Sequence, residues 1–131
     1  AVPNEAAHLV PRTLEALRKV GAPSFLTVLK RFGPSNPAPL SFPIPGWTLA
    51  ADVPASVPGL SEALEHLDKE VTLNGGRIYL AKDSRLAAGS LSAGYPNLNK
   101  WISSRFSLDE RRVYSSDLMN RLIDQGPIGI N

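Results

Sequence analysis

Apolar side chains recur along this chain with two different periods, and the changes of period mark its elements. Leu14, Leu17 and Val20 fall three apart, which predicts a helix over about residues 7–20. Pro11 is tolerated only in a first helical turn and Gly21 offers a stop. The regular part is therefore expected to begin near Pro11, with residues 4–10 forming a separate turn. Ser24–Phe32 (SFLTVLKRF) is rich in aromatic and branched side chains and bounded by Pro23 and Gly33, the pattern of a strand. Trp47–Val53 (WTLAADV) predicts a second strand, with Trp47, Leu49, Ala51 and Val53 on one face. Leu60, Leu64, Leu67 and Val71 form one helical stripe, which Asn74-Gly75-Gly76 can end through a left-handed cap. Arg77–Leu80 reads as a short third strand. Beyond Lys82 the pattern is helical in pieces: Asn97 can cap a helix carrying Leu98, Trp101 and Ile102, and Asp117 one carrying Leu118, Met119 and Leu122.

Between the first two strands, Gly33 to Gly46 reads GPSNPAPLSFPIPG, with five prolines in fourteen residues. Proline has no amide hydrogen to give a ladder, so an extended connection is predicted and not a central strand. Helix, strand, strand, helix, strand and then helices, joined by short connections, predict an α+β fold: an antiparallel sheet with helices packed on one face. Gly126-Pro127-Ile128-Gly129-Ile130-Asn131 reads as weakly structured.

Composition narrows the chemistry. The 131 residues amount to one ordinary domain, and 43% hydrophobic with 20% charged residues argues against wholesale disorder. A formal net charge of +2 with no basic run gives no reason to expect nucleic acid. With no Cys, a disulfide framework, a thiolate metal site and a cysteine nucleophile are excluded within these residues. His8 and His66, far apart, do not make a histidine-rich metal centre, and neither belongs to a hydrolase pattern. No apolar stretch approaches the roughly 18–20 residues of a membrane span, and no signal segment opens the sequence.

Two constellations remain. On the first strand, Leu26, Val28, Lys30 and Phe32 point one way, an apolar wall with a single ammonium in it. Lys30 is either a surface lysine whose stem covers apolar area or a ligand-recognising group in a pocket. Thr48, Ala50 and Asp52 share a face of small and polar side chains on the second strand, leaving room either for a ligand or for a packed helix. The second constellation is Gly75 to Arg85 (GGRIYLAKDSR), which presents Tyr79 and then a dense polar turn. Lys82 could donate to an anion or an electron-rich ring, and Asp83 and Arg85 could fix it or pair with each other. The plainer reading is a solvated turn. Asp109, Glu110, Arg111 and Arg112 read as exposed charge pairing.

Longer strings say more. SFLTVLKRFGPSNPAPLSFPIPGWTLAADVP (24–54), GGRIYLAKDSR (75–85) and YPNLNKWISSRFSLDERRVYSSDLMNRL (95–122) together resemble the FAD-linked oxidases of the vanillyl-alcohol-oxidase type, over about residues 10–124. The resemblance implies that residues 1–131 are a C-terminal, substrate-binding part of such an enzyme. About 83–131 would be the segment returning toward an FAD-binding domain that lies outside this chain, as do the family's flavin-anchoring and histidyl positions.

The implied activity is FAD-dependent oxidation of the 2′-hydroxyl of a polyprenyl-phosphate ribose, a step in making the arabinan precursor of a cell wall. The fragment alone is not expected to turn over or to grip FAD. Implied partners are the polyprenyl-phosphate sugar, the FAD-binding domain and a short-chain reductase that completes the epimerisation. The implied location is peripheral, on the cytoplasmic or periplasmic side of a membrane. Tyr79 and Lys82 match positions beside flavin and substrate, with Lys82 the catalytic candidate. Leu26, Val28, Lys30 and Phe32 match the wall of the substrate pocket. Thr48 and Ala50 match pocket positions where mycobacterial members carry Asn and Cys, so a methyl stands in place of a thiol. Two other readings stay open: a related sugar-alcohol or aldonolactone oxidase, and a stand-alone binding domain without catalysis.

Overall fold

The computed structural model describes residues 1–124, and the C-terminal Gly126 to Asn131 stretch lies outside them. In chain order the elements are β1 (Val2–Pro3), a 3₁₀ turn (Asn4–Ala6), α1 (Leu9–Lys19), β2 (Leu26–Phe32), β3 (Gly46–Asp52), α2 (Leu60–Leu73), a second 3₁₀ turn (Leu80–Lys82), α3 (Ala88–Gly94), α4 (Leu98–Leu108) and α5 (Asp117–Met119). The last runs on into wider π turns at Asn120–Asp124. The strands form one antiparallel sheet in the order β1-β3-β2. This is the expected α+β arrangement, an open sheet with helices alongside.

Helices pack against one face of the sheet at β1 and β3, while β2 stays largely exposed at the edge. Trp47 packs against Val2, Ala6, Leu9 and Val71, and Ala51 joins Leu17, Ala22 and Leu60. A separate core of Leu86, Leu91, Tyr95, Leu98, Ile102, Met119, Leu122 and Ile123 sits among α3, α4 and α5. Ile78 packs against both the β1 cluster and this core, so the segment after α2 joins the two halves.

Four local expectations are corrected. Helix α1 starts at Leu9, with Pro11 inside its first turn, where a missing amide hydrogen costs nothing. Its buried residues are Leu9 and Leu17, while Leu14 is 40% exposed. Arg77–Leu80 is not a strand. The Arg77 amide donates to the Ala1 carbonyl (2.8 Å) and the Ala1 amine to the Arg77 carbonyl (2.7 Å), after which the chain turns into 3₁₀ geometry instead of extending the ladder. Asn97 makes no side-chain cap, because its backbone (φ −93°, ψ 14°) is not extended. Ser116, not Asp117, caps α5: its backbone is extended and its hydroxyl accepts from the Met119 amide at 3.2 Å.

The cap of α2 follows the sequence. Gly75 takes φ +76°, its amide donates to the Thr72 carbonyl (3.2 Å) and the Gly76 amide to the Val71 carbonyl (2.9 Å), the paired bonds of a Schellman ending. The proline-rich connection is unpaired, as expected, but it is tethered. Asn36 N–H donates to the Ser41 hydroxyl (3.2 Å), and Arg77 donates to the carbonyls of Ser41 and Pro43.

Candidate functional site

Strand register decides which side chains meet. Val28 lies opposite Ala50, Lys30 opposite Thr48 and Phe32 opposite Gly46. Directly opposed residues share a face, so Leu26, Val28, Lys30, Phe32, Thr48 and Ala50 all stand on the face turned away from the helices. Small groups sit across from large ones. Val28, Phe32 and Thr48 are half-buried, whereas Leu26 is 57% exposed and Lys30 and Ala50 are exposed. The face is a wall without an opposite wall among the described residues. Cavities of about 420 Å³ and about 170 Å³ occur elsewhere, the first between α1 and α2 and the second in the C-terminal core.

An aromatic chain links this wall to the second constellation. The Phe32 and Phe42 rings meet edge-to-face at 5.6 Å, and Phe42 lies 4.8 Å from the Tyr79 ring. Phe42 is supplied by the proline-rich connection, which Arg77 pins; the Arg77 guanidinium also lies 5.7 Å from the Tyr95 ring. Tyr95 is 2% exposed and donates its hydroxyl to the Ile78 carbonyl at 2.7 Å, and burial pushes its pKa up to about 12. The segment leading to Tyr79 is therefore held from beneath.

Tyr79 and Lys82 then close one tight turn, with the Lys82 amide donating to the Tyr79 carbonyl at 3.3 Å. Both side chains are exposed at its ends, Tyr79 by 46%. Lys19 and Lys69 pair with glutamates one helical turn away. Lys30 and Lys82 find no carboxylate among the described residues.

Beyond Lys82 the turn is not the solvated loop its composition suggests, and Asp83 and Arg85 do not pair side chain to side chain. The Asp83 carboxylate, with its side chain 3% exposed, accepts from Arg121 Nη2 (2.6 Å) and from the amides of Arg85 (3.0 Å) and Leu86 (2.8 Å). Burial works to raise the Asp83 carboxyl, but these donors outweigh it and hold it below the usual carboxylate range. Arg85 instead makes a two-pronged pair with Asp68 on α2, at 2.8 and 3.1 Å. Burial pushes the Asp68 carboxyl up, against the pull of that guanidinium. The 109–112 cluster also departs from mutual charge pairing: Asp109 accepts from the Val113 and Tyr114 amides (2.8 and 2.9 Å), and Arg112 lies 4.8 Å over the Phe106 ring.

Sequence reasoning missed Phe42, Asp68 and Arg121. Asp68 carried a signal, since it follows Leu64 by four in the buried stripe of α2, where a carboxylate needs a partner. Arg121, 38 residues from Asp83, carried none. His66 is exposed beside the α1–α2 groove. No cluster of metal-ligating side chains occurs among the described residues, and no helix among them is long and apolar enough to cross a membrane.

No protein-family model matches the chain. Over 121 residues, 92% of its length, it is 46% identical to decaprenylphosphoryl-β-D-ribose oxidase of Mycolicibacterium smegmatis. This chain is similar to that oxidase almost from end to end. It is also 42% identical over 115 residues, 88% of its length, to a Streptomyces coelicolor protein described as an uncharacterized protein in the mprA 5′ region. The chain spans 26% of the length of the decaprenylphosphoryl-β-D-ribose oxidase and 30% of that of the Streptomyces protein.

Proposed function

We propose that this chain is the substrate-facing, C-terminal part of an FAD-dependent oxidase that acts on the 2′-hydroxyl of decaprenylphosphoryl-β-D-ribose. The observation that carries the reading is that seven of the eight matched positions are linked at one face, with Lys82 three residues beyond the last of them in the same turn. Six lie on the open face of the β2–β3 hairpin, and Tyr79 lies beside it across the Phe42 ring. The similarity to the Mycolicibacterium oxidase and the exposure of Leu26, Lys30 and Ala50 on that face support it. On this reading a further domain faces the hairpin, residues from about 83 onward lead back toward that domain, and a short-chain reductase takes the product. The site works at the periphery of a membrane.

The residues present fit one edge of a flavin and not its phosphates. Tyr79 and Lys82 offer an exposed ring and an ammonium at the two ends of one turn. The double glycine Gly75-Gly76 is no phosphate cradle: it ends α2, and a Cβ at Gly76 would fall 2.7 Å from the Ala1 and Val71 carbonyl oxygens. FAD, when bound, supplies the acceptor for the hydride that leaves C2′ as the alcohol becomes a ketone. Val28, Phe32, Thr48 and Ala50 orient the sugar, and Lys30 offers its ammonium to the phosphate. Lys82 places positive charge where the oxygen gains negative charge, an electrostatic role worth about 10²–10³ in rate. The proton leaving the hydroxyl has no acceptor assigned in this chain.

The test exchanges the matching quarter of the Mycolicibacterium oxidase for this chain and follows flavin reduction in a single turnover. Reduction by the polyprenyl-phosphate ribose, with Lys82→Ala slower by about 10²–10³, is expected. An exchange protein that holds FAD but is reduced only by sugar alcohols or aldonolactones would overturn the substrate assignment. One that holds FAD and accepts neither would leave a binding domain without catalysis.

A further inference from the structure

We propose that Asp83 and Arg121 are positioning residues that aim Lys82, by clamping the Tyr79–Lys82 turn against the C-terminal helical segment; the proposal rests on the reading of Lys82 given above. The Lys82 side chain is exposed and engages no carboxylate among the described residues, so its aim depends on the backbone that carries it. That backbone is fastened immediately downstream. The Arg121 guanidinium reaches the Asp83 carboxylate with one nitrogen (2.6 Å) and the Leu86 carbonyl with the other (2.6 Å). Asp83 in turn accepts the Arg85 and Leu86 amides. Residues 83–86 are thereby closed into a ring around one planar fork, a geometry that an ammonium could not provide.

A second fork holds the same segment to a different element, where Arg85 grips Asp68 of α2. Two aspartates with side chains 3% and 8% exposed thus fasten the residues that directly follow an exposed lysine. Burying carboxylates is costly, and here the cost is offset by a guanidinium at each aspartate and by two backbone amides at Asp83. What the pairs provide is a fixed position for residues 79–82 relative to both α2 and the segment containing Arg121.

A positioning residue acts through the group it aims, and double substitution exposes this. In the FAD-loaded exchange protein, Arg121→Met is expected to slow flavin reduction at saturating substrate by about 10–100-fold, the scale of a misplacement near 1 Å, with FAD content unchanged. In a Lys82→Ala background the same substitution should cost less than about threefold. Asp83→Asn, which keeps the shape and an acceptor for the amides, should give a smaller loss of the same kind. Equal costs in both backgrounds, or no cost in the parent, would overturn the proposal. Failure of the underlying reading looks different: Lys82→Ala itself would be silent.

The 131-residue chain gives an independent measurement through limited trypsin digestion. Arg121→Met should speed scission after Lys82 by at least about tenfold relative to scission after Lys100, through the larger open population of the turn. Arg121→Lys should fall between the two. An unchanged ratio overturns the clamp whatever the flavoprotein does.

Discussion

Leu26 and Leu29 of β2 are 57% and 50% exposed, whereas Asp83 and Asp68, which hold the polar turn, have side chains only 3% and 8% exposed. Hydrophobicity alone orders these residues the other way round. The strand lies at the edge of the sheet, with Leu26 on one face and Leu29 on the other. The turn is charged because its Asp83 pairs with Arg121 and its Arg85 with Asp68 of α2. In this chain exposed apolar side chains lie on the edge strand, and buried carboxylates lie where segments distant in sequence are tied together.

The largest contrast should come from the same substitution in the two regions. Leu86 follows the turn directly and is 2% exposed. Leu86→Ala should cost about 2–5 kcal/mol, and Leu26→Ala less than about 1 kcal/mol, by urea unfolding of the 131-residue chain. Comparable losses would show that β2 is covered in solution. Next in size is Asp83→Ala, expected to cost about 2–3 kcal/mol. That is below the range for a fully buried pair because Arg121 remains a third exposed. An Asp83→Ala loss under about 0.5 kcal/mol, the level of an ordinary surface change, would restore the solvated-turn reading.

Much of this contrast was hidden from the sequence for a physical reason. The β2–β3 hairpin and α2 were legible because proline and glycine bound them and their side chains keep one period throughout. β1 was not: two residues, one of them proline, form a strand only because Gly46 lets the chains approach, where a Cβ would fall 2.8 Å from Pro3 Cα. The expected strand at Arg77–Leu80 failed for a related reason, since its one reciprocal backbone partner is Ala1. The positions on the hairpin face could be read from alternation and family likeness. That they share a surface with Tyr79 depends on Phe42, a residue inside a proline-rich stretch with no pattern. The partners of Asp83 and Arg85 lie 38 and 17 residues away, a distance at which charge type says nothing about pairing.

A smaller effect separates the two aspartates from each other. Asp83 has its folded pKa lowered, so its contribution is present above the unfolded pKa and is lost as pH falls through the folded value. Asp68 has its folded pKa raised, so its proton-linked contribution is present below the unfolded pKa and is lost as pH rises through the folded value. Relative to the parent, Asp83→Asn should therefore be most damaging near neutrality and Asp68→Asn most damaging in acid. Chemical unfolding of both variants at several pH values from about 3 to 7 measures the two slopes. Slopes of the same sign would mean that the two forks share one electrostatic environment.

The smallest expected effect is also the sharpest check on the comparison. Lys82 sits between the two regions: it is exposed like β2, yet its backbone is held by the clamp. Lys82→Ala removes no packed side chain and no hydrogen bond to a described carboxylate, so its effect on stability should stay within about 0.5 kcal/mol, as for a surface lysine. Lys30→Ala on the open face should behave alike. A thermal melt of the 131-residue chain compares both with the parent. Should Lys82→Ala destabilise by about as much as Asp83→Ala, the ammonium would belong to the anchoring network, and the free charge on which the oxidase reading of Lys82 depends would be gone.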